Sequence, residues 1–256
     1  MAGVSRFARR EEVNRMRLAK ASAIILSLVL TALLALAGAR TRGANAQEAR
    51  PAQGGDKLVY ADFESEQDKR PVSNHGGLVQ IVSYQESATN PVHFKGIEGS
   101  NPPAPELVHL KPGDPNHAIA FDYELTAPNQ YAGVGVEVHG QPDKDGKPVA
   151  EDVSDYKFVS MQVYATGVSA LRIETISRGT GLGAPNGFPQ TIFKVSNGFN
   201  TYRIPLKNLN QPEWAQPRVS TKDVLKKLTA VGISAVCNNC TQAKGTIVID
   251  NIVFEK

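Results

Sequence analysis

The stretch GTIVIDNIVF, residues 245–254, decides the fold. β-branched and aromatic residues dominate it, and Ala243-Lys244-Gly245 at its start is turn material, so it reads as a β-strand. Ile247, Val248 and Ile249 run together, Asp250 interrupts them, and Ile252, Val253 and Phe254 restore the apolar run. A carboxylate inside such a strand must be solvated, hydrogen-bonded or bound to a cation, because burying it bare is costly. The natural partner is the stretch LVYADFES, residues 58–65, which has the same design with Asp62 and Glu64. Two end strands that both carry carboxylates predict a sandwich whose termini meet at one shared cation site.

Further strand patterns lie between these two, separated by turn signals. They cover residues 78–85, 117–125, 131–139, 156–164, 171–178, 191–195, 201–206 and 228–236. Residues 131–139, YAGVGVEVH, alternate strictly: Val134, Val136 and Val138 face one way, Gly135, Glu137 and His139 the other. Val159, Met161 and Val163 oppose Phe158, Ser160, Gln162 and Tyr164; Leu171 and Ile173 oppose Arg172 and Glu174. Residues 191–195 and 201–206 read as a hairpin around Ser196-Asn197-Gly198, and the proline-rich residues 90–105 as a loop. One short helix is predicted over 221–227, with Ser220 as N-cap and Asp223 as its capping-box partner. About ten strands with no βαβ alternation predict an all-β, two-sheet antiparallel β-sandwich or jelly roll.

The 256 residues carry a formal net charge of +3, but unevenly. Up to Ala46 there are eight basic and two acidic residues, and the remainder has 20 basic against 23 acidic (28 − 8 and 25 − 2). The basic balance belongs to the leader and is no evidence for nucleic-acid binding. Arg6, Arg9, Arg10, Arg15, Arg17 and Lys20 precede an apolar run, and Ala44-Asn45-Ala46 fits a signal-peptidase site. Residues 1–46 therefore read as a signal peptide or, if uncleaved, a signal anchor, since the run is about long enough to span a bilayer. No Cys follows the run, which excludes a lipoprotein. Residues 47–57 form a polar, flexible linker, and 58–256 form one domain. The expected location is secreted, periplasmic or otherwise extracytoplasmic, with membrane contact only through an uncleaved leader.

Both cysteines, Cys237 and Cys240, fall in the exported part. No βαβ pattern surrounds this CxxC and it opens no helix, so a redox thiol is disfavoured against a loop-closing disulfide. Closing so short a loop contributes roughly 2 kcal/mol on a chain-entropy account. No second Cys/His pair has the spacing that a zinc site needs. Asn239-Cys240-Thr241 fits the N-glycosylation pattern.

Glu137, His139, Gln162, Tyr164, Arg172 and Glu174 occupy the non-core face of strands that could neighbour one another. Carboxylates, an arginine and an aromatic on one sheet face can hydrogen-bond sugar hydroxyls and stack on a ring; the same pattern also describes an ordinary solvated face.

The order of LVYADFE, HAIAFDYEL, YAGVGVEV, YKFVSMQVYATG, LRIETIS, FNTYRIPLKNL, LTAVGISAV and GTIVIDNIVF resembles the galactose-binding-like jelly rolls. It is most similar to carbohydrate-binding module family 11 and the complex I intermediate-associated protein 30 domain, over residues 58–256. The resemblance implies two stacked antiparallel sheets, a structural calcium ion and glycan binding on a concave face. Asp62, Glu64 and Asp250 match the acidic positions that supply such an ion, with an all-oxygen shell suited to Ca²⁺. Tyr131 matches an aromatic entering the concave face. Trp214, the single tryptophan, sits where family 11 places an aromatic in the loop after its "IPL" strand, with Arg218 close behind. A loop tryptophan there either stacks on sugar or folds over the core edge. Val236-Cys237 replaces an aromatic of the family, and GTGLGAPNG, residues 179–187, replaces an acidic loop.

Three functions follow as expectations. The first is a non-catalytic module binding a polysaccharide or oligosaccharide through Tyr131, Glu137, Gln162, Tyr164, Arg172, Trp214 and Arg218. The second is a protein-interaction or assembly module for an envelope protein, using the same face. The third is a glycoside hydrolase built on Glu137 and Glu174, which needs a defined carboxylate separation. No GxSxG elbow and no HExxH is present, and the expectation is no enzyme.

Overall fold

The computed structural model describes residues 55–238 and 240–256. The leader, most of the linker and Asn239 of the glycosylation pattern lie outside the described residues. Among those described, no helix is long and apolar enough to cross a membrane.

The chain builds β1 (Lys57–Ala61), β2 (Glu66–Gln67), β3 (Arg70–Pro71), β4 (Val79–Tyr84), β5 (His93–Lys95), β6 (Glu106–His109) and β7 (His117–Leu125). It continues with β8 (Tyr131–Glu137), β9 (Phe158–Ala165), β10 (Ala170–Ile176), β11 (Gln190–Lys194) and β12 (Asn200–Pro205). Helix α1 (Thr221–Lys226), β13 (Ala230–Val236) and β14 (Ala243–Glu255) complete it. One sheet of seven strands has the order β12-β9-β14-β7-β5, with β1 also on β14 and β6 also on β7; a second of five strands runs β11-β10-β13-β8-β4. Strands β2 and β3 form a separate small hairpin. Every strand pairing is antiparallel. The expected all-β antiparallel sandwich is the architecture observed.

Strand β14 is the centre of the larger sheet, between β9 and β7. Its first half buries Ile247 and Ile249, its second half Ile252 and Phe254, all 0 % exposed. Strict alternation would turn Ile252 outward. The register with β9 shifts between Asp250 and Val253, and Asn251 has φ 52, so a bulge resets the parity and returns both halves to the core. Strand β1 pairs with β14 as expected, Leu58 opposite Phe254 and Val59 opposite Val253. The Tyr60 hydroxyl donates to the Val136 carbonyl at 2.7 Å, tying the first strand to the opposite sheet.

The alternating faces read from the sequence hold. Val134, Val136, Val159, Met161, Val163, Leu171 and Ile173 are all buried in one core shared by the two sheets. Helix α1 is capped as expected: Ser220 Oγ accepts from Asp223 N at 3.0 Å and donates to Asp223 Oδ2 at 2.7 Å. Other expectations need correction. The hairpin of 191–195 with 201–206 does not form, because β11 joins β10 in the smaller sheet and β12 joins β9 in the larger. Their connection crosses between sheets. The first strand ends at Ala61, and Phe63 (φ 55) turns the chain so that Asp62 and Glu64 lie beyond it. The stretch 90–105 contains β5, and β6 follows directly.

Burial and sheet position together set the cost of truncation. Ile247→Ala is expected to cost about 2–5 kcal/mol in urea unfolding, as a large-to-small change in a packed core. Ile192→Ala, at an edge position 52 % exposed, should change stability by less than about 0.5 kcal/mol.

Candidate functional site

The outward face of the smaller sheet is concave because its two central strands carry small residues there. Strand β8 presents Gly133 and Gly135; β13 presents Ala230, Gly232 and Ser234. Register sets these side by side: Gly135 opposite Gly232, Gly133 opposite Ser234. Larger residues flank them. Gln80 and Val82 of β4 stand opposite Gly135 and Gly133; Glu174 and Arg172 of β10 stand opposite Gly232 and Ser234. The result is a trough of about 290 Å³, with Tyr131 towards one end and Glu137, His139 and Arg178 towards the other.

The Arg172 guanidinium lies over the Tyr131 ring, 4.3 Å from its centroid, and Tyr84 stacks on Tyr131 at 5.9 Å. Arg172 Nε is buried and has no hydrogen-bond partner among the described residues. Such an orphaned donor costs on the order of 1–3 kcal/mol unless an acceptor reaches it. Glu174 Oε1 accepts from Phe188 N at 3.0 Å, which fixes that wall of the trough. Burial pushes the Glu137 carboxyl above the usual carboxylate range, against a backbone hydrogen bond and the charge of Arg178.

The predicted site residues divide into three groups. Tyr131, Glu137 and Arg172 meet in the trough, with Glu174 and His139. Gln162 and Tyr164 do not join them: β9 belongs to the larger sheet, so both face out of the opposite side of the sandwich. Trp214 and Arg218 are outside the trough lining as well. Trp214 is 63 % exposed, with its ring against Gly187, and Arg218 Nη1 donates to the Pro212 carbonyl at 2.6 Å within the same loop. Among the trough residues missing from the sequence reading are Gln80, Val82, Arg178, Gly232, Ser234 and the loop after β8. For Gly232 and Ser234 the signal was the small-residue pattern on alternate positions of residues 228–236.

The end-strand carboxylates converge at the other sheet. Asp250 is 0 % exposed and accepts from Asn116 Nδ2 at 2.8 Å, Asn251 N at 2.7 Å and Asn251 Nδ2 at 2.9 Å. Burial pushes its carboxyl above the usual aspartate range; the charges of Glu64 and Asp62 add to this, against the hydrogen bonds. Asp62 binds the Asn74 amide, and Glu64 is held below the usual glutamate range by its hydrogen bond to His117. The three carboxylates feel one another's charge, but in the structure their oxygens accept from Asn74, His117, Asn116 and Asn251. The disulfide Cys237–Cys240 is formed, closing the turn after β13.

No family model and no curated protein matches the sequence. Among solved structures, the chain is similar to a family 11 carbohydrate-binding module of a cellulosomal cellulase of Clostridium thermocellum: 15 % identity, 78 % of this chain, 94 % of that one, TM-score 0.48. A family 11 module from Clostridium thermocellum, in complex with a β-1,3-1,4-mixed-linked tetrasaccharide, gives 12 % identity, 78 % and 95 % coverage, and TM-score 0.48. A β-1,2-glucanase from Parabacteroides distasonis gives 13 % identity, 77 % of this chain, 25 % of that one, and TM-score 0.44. These are likenesses of fold; the functional reading rests on the trough.

The two glycines of β8 differ in what they tolerate. A Cβ on Gly133 would meet the Ile233 carbonyl at 2.2 Å, whereas one on Gly135 meets only Val82 and Gln80 side chains at 3.6 and 3.9 Å. Gly133→Ala is therefore expected to destabilise by about 1–3 kcal/mol through overpacking. Gly135→Ala should fold with a melting temperature close to that of the parent; paired thermal melts check both.

Proposed function

We propose that this protein is an exported, non-catalytic glycan-binding protein whose ligand lies along the trough of the five-stranded sheet. A sugar chain offers flat apolar faces and hydroxyls that both donate and accept. The trough offers acceptors at Glu137 and Glu174, donors at Arg172 and Ser234, Gln80 as both, and apolar surface on Val82 and the edge of Tyr131. They stand on paired strands rather than on loops, so little ordering entropy is lost when a ligand binds. The observation that carries the reading is Arg172 Nε, a buried donor in the trough with no acceptor among the described residues. Export rests on the leader pattern of residues 1–46.

Calcium belongs to the same proposal as a structural ion held by Asp62, Glu64 and Asp250. Its charge would neutralise the carboxylates where the first and last strands meet.

Glycan-array screening followed by calorimetric titration tests the ligand. Arg172→Ala should weaken binding at least about 10-fold, equivalent to roughly 1.4 kcal/mol. Gly232→Val fills the trough where its Cβ meets only Ile176 and Glu174 side chains, 3.5–3.8 Å away, so it should abolish binding while the protein stays folded. Trp214→Ala should leave the isotherm unchanged. Binding lost in Trp214→Ala but kept in Gly232→Val would move the site to the loop. A folded protein that retains no glycan but captures a specific envelope protein would replace this reading with the assembly one.

For the ion, adding calcium to EDTA-treated protein should raise the melting temperature, with about 2.7 kcal/mol of stabilisation at 100 times the Kd. Asp250→Asn should remove that increment whatever its own basal stability.

A further inference from the structure

We propose that His75, His139 and Glu151 form a binding site for a divalent transition-metal ion of the zinc type, separate from the end-strand carboxylates. Each residue is half-buried and offers one ligand atom, and the three atoms all lie within 4.8 Å of one another. His139 Nε2 is 3.6 Å from Glu151 Oε2. The two imidazoles stack, with centroids 4.8 Å apart and planes at 17°. Around a tetrahedral zinc ion with bonds of about 2.0–2.1 Å, ligand atoms are about 3.3 Å apart. The His139–Glu151 pair is already near that spacing; because the two rings stack nearly parallel, one imidazole must rotate about χ2 for both ring nitrogens to aim at the same ion.

The backbone holds the three residues in place before any ion arrives. His75 forms a bridge with His139, and Gly140 N donates to the His75 carbonyl at 3.4 Å. Glu151 exchanges both backbone hydrogen bonds with Leu228, at 2.9 and 3.0 Å. Val138 N donates to the neighbouring Thr229 carbonyl at 2.9 Å, so Glu151 and Val138, the residue before His139, are bonded to consecutive residues of one segment. Glycines permit the approach on the other side. A Cβ on Gly140 would meet the Gly76 carbonyl at 2.0 Å, and one on Gly77 the Glu137 carbonyl at 1.9 Å.

The donor chemistry selects the metal. Two imidazoles and one carboxylate suit zinc, nickel or copper, whereas calcium wants an all-oxygen shell. Three protein ligands leave a tetrahedral ion one position for water. Neither the glycan reading nor the calcium reading is needed for this site.

The test uses the full-length protein without a polyhistidine tag, after chelation, titrated with zinc by calorimetry and followed by thermal shift. The parent should bind one zinc ion, and its melting temperature should rise with zinc by an amount that Asp250→Asn retains. Cobalt(II) should give the visible absorption of a low-symmetry, tetrahedral site. His139→Ala should weaken zinc binding at least about 100-fold and Glu151→Gln about 10-fold, in line with loss of a ligand. His117→Ala should stay within about threefold, although among the described residues His117 also forms a close His–His and His–Glu group, with His109 and Glu64. Arg172→Ala should bind zinc like the parent, because the ion sits at the His139 end of the trough and needs nothing from the arginine. The proposal is overturned if the parent shows neither a zinc-dependent shift nor a cobalt spectrum. It is equally overturned if folded His139→Ala and Glu151→Gln variants keep the parent's affinity, or if His117→Ala loses it.

Discussion

The bulge at Asp250 is the constraint on which the rest of the structure depends. Strand β14 lies between β9 and β7 and also receives β1, so its register sets that of the larger sheet. A one-residue slip would turn a whole strand's apolar set to solvent. The strand avoids this by changing parity at Asp250–Asn251, which keeps Ile247, Ile249, Ile252 and Phe254 in one core. The same irregularity leaves a carboxylate buried where the first and last strands meet. The apolar pattern and the acidic interruption are therefore one feature: the strand stays inside only by breaking its alternation, and the break is where the charge sits.

The smaller sheet shows the complementary logic. Its inner face is filled by Val134, Val136, Leu171, Ile173, Val231 and Ile233, all 0 % exposed. Its outer face is thinned to glycine, alanine and serine along β8 and β13. A sheet stripped of side chains in its middle and kept tall at its edges is concave, and the loop after β8, with Gln141, Pro142 and Pro148, walls one end. Such a surface is rigid, because both central strands are paired on both sides and packed beneath. The outer face of the larger sheet is built differently: Phe158 lies under the Arg203 guanidinium, and Ser160 and Arg203 both bond to Glu255.

Most of the fold was legible in the sequence because it is written in period-two alternation. Residues 117–125 coincide with β7, and the inward sets of β8, β9 and β10 were read correctly from Val, Met, Leu and Ile positions. Failures fall where the deciding interaction is non-local. The alternation of β9 showed which residues face outward but not which sheet the strand joins, so Gln162 and Tyr164 were grouped with Arg172. Residues 191–195 and 201–206 look like a hairpin because their turn is Ser-Asn-Gly. What separates them is that each finds a partner, β10 or β9, already at the edge of a different sheet. Strands β5 and β6 are too short and proline-flanked to show a period, and they exist because the edge of β7 is there to pair with.

The histidines make the same point for chemistry. Spacing rules find metal sites whose ligands share a turn or a helix, and by those rules the chain has none. His75, His139 and Glu151 come from three separate loops and meet through backbone bridges: 75 to 139, and 151 to 228 beside the 138–229 bond. Only glycine at 77 and 140 lets those segments touch. Asp62, Glu64 and Asp250 could be grouped from the sequence because they flank the first and last strands, whose pairing the apolar patterns predict. The two clusters also differ in hardness, one rich in nitrogen and one made of oxygen. Calcium and zinc would therefore partition between them rather than compete, and each ion would stiffen a different junction of the sandwich.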